Sequence, residues 1–353
     1  MAKIVASLLI TWNEWYFGGA SNWGDVGLFT PTLGSYINSD PAVIAQQIKW
    51  MDEAGIDLCF VALDYDNCLK WMNLFLAEAE KQNSKVKIAP YLNGSKNFGA
   101  DVNRVLEAIE TMMNAGIFDH PKCFKWNGRP VVSGYLFKPI EFGGKCHIEY
   151  WIEVHQKYPQ LFKIANGWHP NYWEKLSDVV DCMSPWAVQY YPDDPVNGNK
   201  ALYENCVSQW NYPVKAYAAI PGCDDTGIPK GSSKVNRENG ETYRKAWSLI
   251  KTLSVQPKIV FTIYNEYGEC SGVESISASR SSTTGAFGDF YIKLTRQLGD
   301  AWKGVTPKLP LAISGVGVGG LIGYGLSPET PLVSVFVGAF IGGAIGYIIG
   351  SKL

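Results

Sequence analysis

Eight short apolar runs alternating with helical patterns over residues 1–303 predict an α/β chain built as a (β/α)8 TIM barrel. A nearly uncharged run over 309–353 predicts a C-terminal hydrophobic helical hairpin after it, joined by a linker at 304–308. The strand candidates are 4–12, 56–63, 86–92, 131–137, 162–166, 180–186, 214–220 and 258–264. They read as continuous apolar runs, not alternating ones, which suits parallel strands covered on both faces. An open doubly wound sheet is the competing architecture, and no GxGxxG follows the first strand to support its nucleotide-binding form.

The first run leads straight into Thr11-Trp12-Asn13-Glu14-Trp15 with no small-residue cleavage site, so it reads as a buried strand and not as a secretory leader. The helix over 41–54 opens with Asp40 as N-cap and Pro41 at the first helical position. Helical spacing recurs over 69–82, 102–115, 147–157, 240–252 and 286–297, and more weakly over 171–176 and 200–209. With 46% hydrophobic and 18% charged residues the chain is not disordered, and a net charge of −2 without any basic run excludes nucleic-acid binding through a basic face. Eight cysteines form no CxxC or other short ligand spacing, so reduced thiols are expected and neither a metal site nor a cofactor is implied. Cys59, inside an apolar run, reads as core filler.

Catalytic residues of such barrels sit at the C-terminal ends of the strands. Here those ends are aromatic and acidic: Trp12, Glu14, Trp15 and Tyr16 after the first strand, and Asp64, Tyr65 and Asp66 after the second. Tyr91 and Asn93 follow at the third and Tyr135 at the fourth, with Trp168 and His169 after the fifth. Trp186, Tyr190 and Tyr191 end the sixth, Asp224 and Asp225 the seventh, and Glu266 and Glu269 the eighth. Rings stack on the apolar faces of sugars while Asp, Asn and Glu bond their hydroxyls, so this set points to an oligosaccharide or polysaccharide. Trp50 and Trp71, away from the strand ends, read as core.

Glu266 and Glu269 are the candidate catalytic pair. Like-charge proximity splits the pKa values of two nearby acids, so one holds a proton near neutral pH while the other is ionised. If the loop turns like a helix, side chains three apart come within about 5–6 Å at Cβ. A buried acid paired to a cation beside a solvated loop glutamate is the structural alternative.

Five segments then resemble one family in order and spacing: QQIKWMDEAGID at 46–57, WNGRPVV at 126–132, PGCDDTGI at 221–228, RENGETY at 237–243 with Trp247, and NEYGE at 265–269. They are similar to the glycoside hydrolase family 99-like domain of endo-α-mannosidase-type enzymes, and FYIKLTR at 290–296 resembles that family's closing helix. The resemblance implies a (β/α)8 barrel and metal-independent, retaining cleavage of an internal α-mannosidic or related linkage through a 1,2-anhydro sugar. It further implies that Glu266 takes the proton of the sugar 2-hydroxyl and that Glu269 serves as general acid and then base. Asn265 and Tyr267 join Trp12, Tyr16, Asp64, Tyr65, Tyr91, Asn93, Tyr135, Trp186, Tyr191 and Asp224 as expected substrate contacts. Tyr267 stands where the family usually has Trp, and CSGVE at 270–274 stands where GTQIE is expected. The NEYGE stretch also resembles the α-1,3-glucanases of glycoside hydrolase family 71, which lack the PGCDDT block. A glycan-binding or structural membrane protein, of a virion for example, that keeps the barrel without turnover is the alternative function.

The tail contains two charged residues, Glu329 and Lys352. As helices, 309–326 and 331–350 reach about 27 and 30 Å, the thickness of a bilayer core. Gly315, Gly319 and Gly323, and likewise Gly338, Gly342 and Gly346, recur every fourth residue, which on helices forms ridges for self-association. The expectation is a barrel anchored to a lipid bilayer through 309–350, with Lys303, Lys308 and Lys352 placing it weakly on the cytoplasmic side.

Overall fold

The computed structural model describes residues 2–11, 22–63, 65–93, 102–135, 147–167, 173–185, 200–201, 203–227, 233–305, 336–339 and 345–348. The chain divides into two compact units, Met1–Thr306 and Pro307–Leu353.

In the first unit, eight parallel strands close into a barrel: β1 (Ile4–Leu9), β3 (Leu58–Leu63), β4 (Lys87–Asn93), β6 (Arg129–Tyr135), β7 (Phe162–Gly167), β8 (Cys182–Pro185), β9 (Val214–Ala218) and β12 (Ile259–Ile263). Each pairs with its neighbours in that order, and β12 returns to β1. All eight expected strands are present, shifted by up to three residues at their ends. Alternation decides what fills the barrel. Leu58, Phe60 and Ala62 join Ala6, Leu8, Phe261 and Ile263 inside, with Phe60 stacked on Phe261 at 5.0 Å. Cys59, Val61 and Leu63 belong instead to the core between strands and helices. The described cysteines Cys59, Cys68, Cys123, Cys182, Cys223 and Cys270 are buried free thiols.

Helices cover the outside. Four-residue α1 (Trp23–Val26) precedes α2 (Pro41–Ala54), where Asp40 caps the N-terminus by accepting from the Ala42 N–H at 2.8 Å. Gly55 ends α2 in the left-handed region, and a Cβ there would meet Arg296 Cδ at 2.7 Å. Next come α3 (Cys68–Lys81), α4 (Val102–Asn114), α5 (His147–Lys157), the short α6 (Trp173–Leu176), α7 (Glu241–Leu249) and α8 (Phe290–Lys303). Where helical spacing is weak, over 200–209, a π-helical stretch Tyr203–Val207 forms instead.

Five short strands escape sequence reading: β2 (Phe29–Pro31), β5 (Lys125–Trp126), β10 (Cys223–Asp224), β11 (Lys234–Val235) and β13 (Ile276–Ser279). The β5–β6 hairpin closes the N-terminal end of the barrel, where Trp126 stacks on Phe162 at 5.3 Å. At that same end Arg129 and Lys163 converge on Asp181. The pairs β10–β11 and β2–β13 lie in the loops after the strands' C-terminal ends.

In the second unit, β14 (Phe336–Ala339) and β15 (Ile345–Ile348) pair antiparallel with Gly338 opposite Gly346. This corrects the helix expected over 331–350 and the helical glycine ridge through Gly338 and Gly346. Each glycine costs a helix interior about 0.8–1.0 kcal/mol, whereas Phe, Val, Ile and Tyr favour strands. Among the described residues no helix is long and apolar enough to cross a membrane. The segment 309–326, with Gly315, Gly319 and Gly323, and the position Gly342 lie outside the described residues.

Candidate active site

The eighth barrel strand β12 delivers the acids. Past Ile263 the chain makes one helix-like turn, in which the Ser271 N–H donates to the Glu266 carbonyl at 3.2 Å. The Gly268 N–H donates to Glu266 Oε1 at 3.2 Å, so Glu266 caps the turn that carries Glu269. Glu269 follows three residues later on the same turn, and its charge acts on Glu266. Glu266 is 5% exposed and Glu269 is half-buried. Burial first, and the charge of Glu269 second, hold the Glu266 carboxyl well above the ordinary carboxylate range, against the opposing pull of the Gly268 and Glu269 N–H groups.

Tyr91 lies beside them inside the barrel, 3% exposed, its hydroxyl 3.4 Å from Asn166 Oδ1. Its pKa is raised by burial, then by Tyr135, Glu269, Glu266 and Tyr65, so these five groups share one electrostatic neighbourhood. The structure thus brings together Tyr65, Tyr91, Tyr135 and both acids out of the expected set. Asn93 ends β4 in register with Tyr135. Trp12, Tyr16, Asp64, Trp186 and Tyr191 lie outside the described residues.

Three expected substrate contacts, Asn265, Tyr267 and Asp224, are buried, at 1, 3 and 1% exposure, and the side chains of Asn265 and Asp224 bond to the chain around the turn. Asn265, 1% exposed, acts as a strand surrogate: its Oδ1 accepts from the Ile10 N–H at 2.6 Å, while its Nδ2 donates to the Ile10 carbonyl at 3.1 Å and the Tyr36 hydroxyl at 3.2 Å. Tyr267 packs edge-on against Trp23 at 5.1 Å in an aromatic cluster with Tyr36 and Phe29. Asp224 accepts from the Thr226 and Ser281 hydroxyls, each at 2.6 Å, and its N–H donates to the Glu269 carbonyl at 2.8 Å. Burial pushes the Asp224 carboxyl up, but these donors outweigh it and hold it below its ordinary value.

Sequence reading missed the residues beneath the turn. Glu274, 2% exposed, accepts from the Tyr36 hydroxyl at 2.9 Å and from Gln47 Nε2 at 3.4 Å. The fully buried Arg237 donates through Nη2 to the carbonyls of Cys270 and Gly272, both at 2.8 Å. Gln47 and Arg237 both fall in the five segments on which the family resemblance rests, and that recurrence was their only visible mark. Asn166, outside those segments, has a different mark, the alternation Phe162, Ile164, Asn166 that turns it toward the barrel interior.

Burial raises the Glu274 carboxyl from 4.5 to about 7 in spite of its donors. The folded state therefore holds this proton more tightly than the unfolded chain. The resulting stability is full below the unfolded value and is lost as pH rises through about 7. Urea unfolding of wild type and Glu274→Gln across this range should show a steeper fall for wild type, by on the order of 3 kcal/mol in total. Parallel pH profiles would contradict the assignment.

No family model matches the chain. Among solved structures, the glycoside hydrolase family 99 endo-α-mannosidase of Bacteroides thetaiotaomicron superposes with a TM-score of 0.67 at 20% identity, covering 85% of this chain and 97% of that one. The fold is a (β/α)8 barrel. A glycoside hydrolase-like protein gives a TM-score of 0.56 at 15% identity over 84% of this chain and 94% of its own. A family 5, subfamily 18 protein from Streptomyces cattleya gives 0.53 at 9% identity, over 87% and 82%. At these identities the likeness is one of fold.

Proposed function

We propose that the barrel is a retaining glycoside hydrolase acting on internal α-mannosidic or related linkages, with Glu266 and Glu269 dividing the proton transfers. The observation that carries this reading is two carboxyls on one turn at the C-terminal end of a barrel strand, the first buried and raised, the second more open. A pair on one turn suits two proton-transfer groups better than an acid and a nucleophile facing each other across the ring.

In the proposed cycle, the bound sugar meets Glu266 as the carboxylate and Glu269 as the carboxylic acid. The Glu266 carboxylate, made a stronger base by its surroundings, takes the proton of the 2-hydroxyl, and O2 attacks C1 to form the 1,2-anhydro sugar. Glu269 protonates the departing glycosidic oxygen. Water then opens the three-membered ring at C1, giving its proton to Glu269, while Glu266 returns its proton to O2. Both carboxyls end as they began, and two inversions at C1 give net retention.

The test is a substrate whose cleaved sugar carries hydrogen or fluorine at C2. It should bind and remain intact, because the nucleophile is missing. Its cleavage at the normal rate would reject the 1,2-anhydro route while leaving a glycosidase. Bilayer association of the tail stands as a separate proposal on its apolar composition, and carbonate extraction of the full chain from membranes tests it.

A further inference from the structure

We infer that Arg237 is a positioning residue for the acid pair, a caged guanidinium that holds the backbone just after Glu269 and so fixes where that carboxyl sits relative to Glu266. This rests on the proposed glycosidase reading, which it deepens.

The two acids have separate anchors. Glu266 follows Asn265, which is clamped to the end of β1 through Ile10. Glu269 is held through its own carbonyl by the Asp224 N–H and through the next residue's carbonyl, that of Cys270, by Arg237. The second Arg237 bond, to the Gly272 carbonyl, pins the chain where it doubles back over β12. There the backbone has no slack: Cys270 sits at φ 48°, and a Cβ on Gly272 would meet the Tyr264 carbonyl oxygen at 2.5 Å.

The guanidinium itself is boxed. Its carbon lies 5.2, 4.9 and 4.7 Å from the ring centroids of Phe29, Phe287 and Tyr291. Gly222, at φ 149°, lets the stem pass, since a Cβ there would touch Arg237 Cγ at 2.7 Å. The Arg237 N–H donates to the Thr283 carbonyl at 3.2 Å. The titratable groups around it include Cys223 of β10, Cys270 of the turn, Tyr243 of α7 and Tyr291 of α8. Burial pushes all four up, Cys223 to about 12, so the guanidinium is the cation among neutral neighbours. Asp224 and Glu266 are the carboxylates that act on the adjoining Cys270. A flat, delocalised cation can lie among three rings while one end, Nη2, donates to both carbonyls, and an ammonium has no such face.

Arg237→Ala and Arg237→Lys in the full chain test this with two readouts. First, the carboxyls of Glu266 and Glu269, labelled with carbon-13 and assigned through their Gln variants, are titrated by NMR without substrate. Both Arg237 variants should show the two titration steps drawn closer together than in wild type. Second, on a cleaved glycan kcat should fall by about 10²-fold, with KM little changed and poor leaving groups hit hardest. Ethylguanidinium at low millimolar concentration should restore turnover and titration in Arg237→Ala, and ethylammonium should restore neither. If Arg237→Ala does not fold, Arg237→Lys, which keeps the stem and charge, carries the titration. Wild-type titration steps in a folded variant, or activity lost only in proportion to unfolded protein, would overturn the inference. A wild-type protein that cleaves nothing overturns the glycosidase reading alone, and the NMR arm still decides the role of Arg237.

Discussion

Glu266→Gln and Glu269→Gln are each expected to lower turnover by about 10²–10⁴-fold, the range of lost acid–base catalysis, with substrate binding retained. The amide keeps the shape of each side chain and the N–H contacts under Glu266, but it can neither accept nor deliver a proton. The two variants should part company when the leaving group is changed. A good leaving group needs no protonation, so it should partly restore Glu269→Gln and leave Glu266→Gln as slow as before. Removing the Glu269 charge removes part of what raises Glu266, so in Glu269→Gln the Glu266 titration should move down toward the ordinary range. Equal rescue of both variants by a good leaving group would reject the division of labour.

Asp181→Ala should cost about 3–5 kcal/mol of unfolding free energy, the penalty for stripping the partner from a buried cation. Lys163 is 1% exposed, its Nζ donating to the Leu161 carbonyl at 2.8 Å and lying 3.9 Å from Asp181. Burial lowers the Lys163 pKa and Asp181 opposes that shift. The same carboxylate takes both ends of Arg129, at 2.6 and 3.1 Å, and the Lys163 N–H at 2.9 Å. These groups stand at the N-terminal end of the barrel, away from the acids, so stability should fall without a change in the kcat of the folded fraction. Lys163→Met should cost far less, because it removes the charge along with the need for its partner. Urea unfolding of the three proteins measures both effects, and an Asp181→Ala midpoint equal to wild type would contradict them.

The barrel was legible because parallel strands buried on both faces are unbroken apolar runs, and eight of them were countable. Their ends are less so: the first apolar run continues through Ile10, whereas pairing in β1 ends at Leu9. Two-residue pairings such as Cys223–Asp224 with Lys234–Val235 have no period to read. The acid pair was visible because strand end and spacing are local. Its supports were not, since Asn265 and Ile10 are 255 positions apart and Gln47 and Glu274 are 227 apart. The burial of Asn265, Tyr267 and Asp224 is not legible, because polar and aromatic residues at a strand end look alike whether they face a sugar or brace a loop. In the tail, four-residue glycine spacing suggested a helix face, yet Gly338 and Gly346 lie opposite each other across two strands.

The proposed cleavage of a glycosidic bond at the Glu266–Glu269 turn is tested by mass analysis of a panel of α-mannosides, α-glucosides and mixed glycans incubated with the full chain, in parallel with the Glu266→Gln/Glu269→Gln double variant. Internal cleavage products from the wild type and none from the double variant are the predicted result. Intact glycans throughout the panel, or the same products from both proteins, would contradict it.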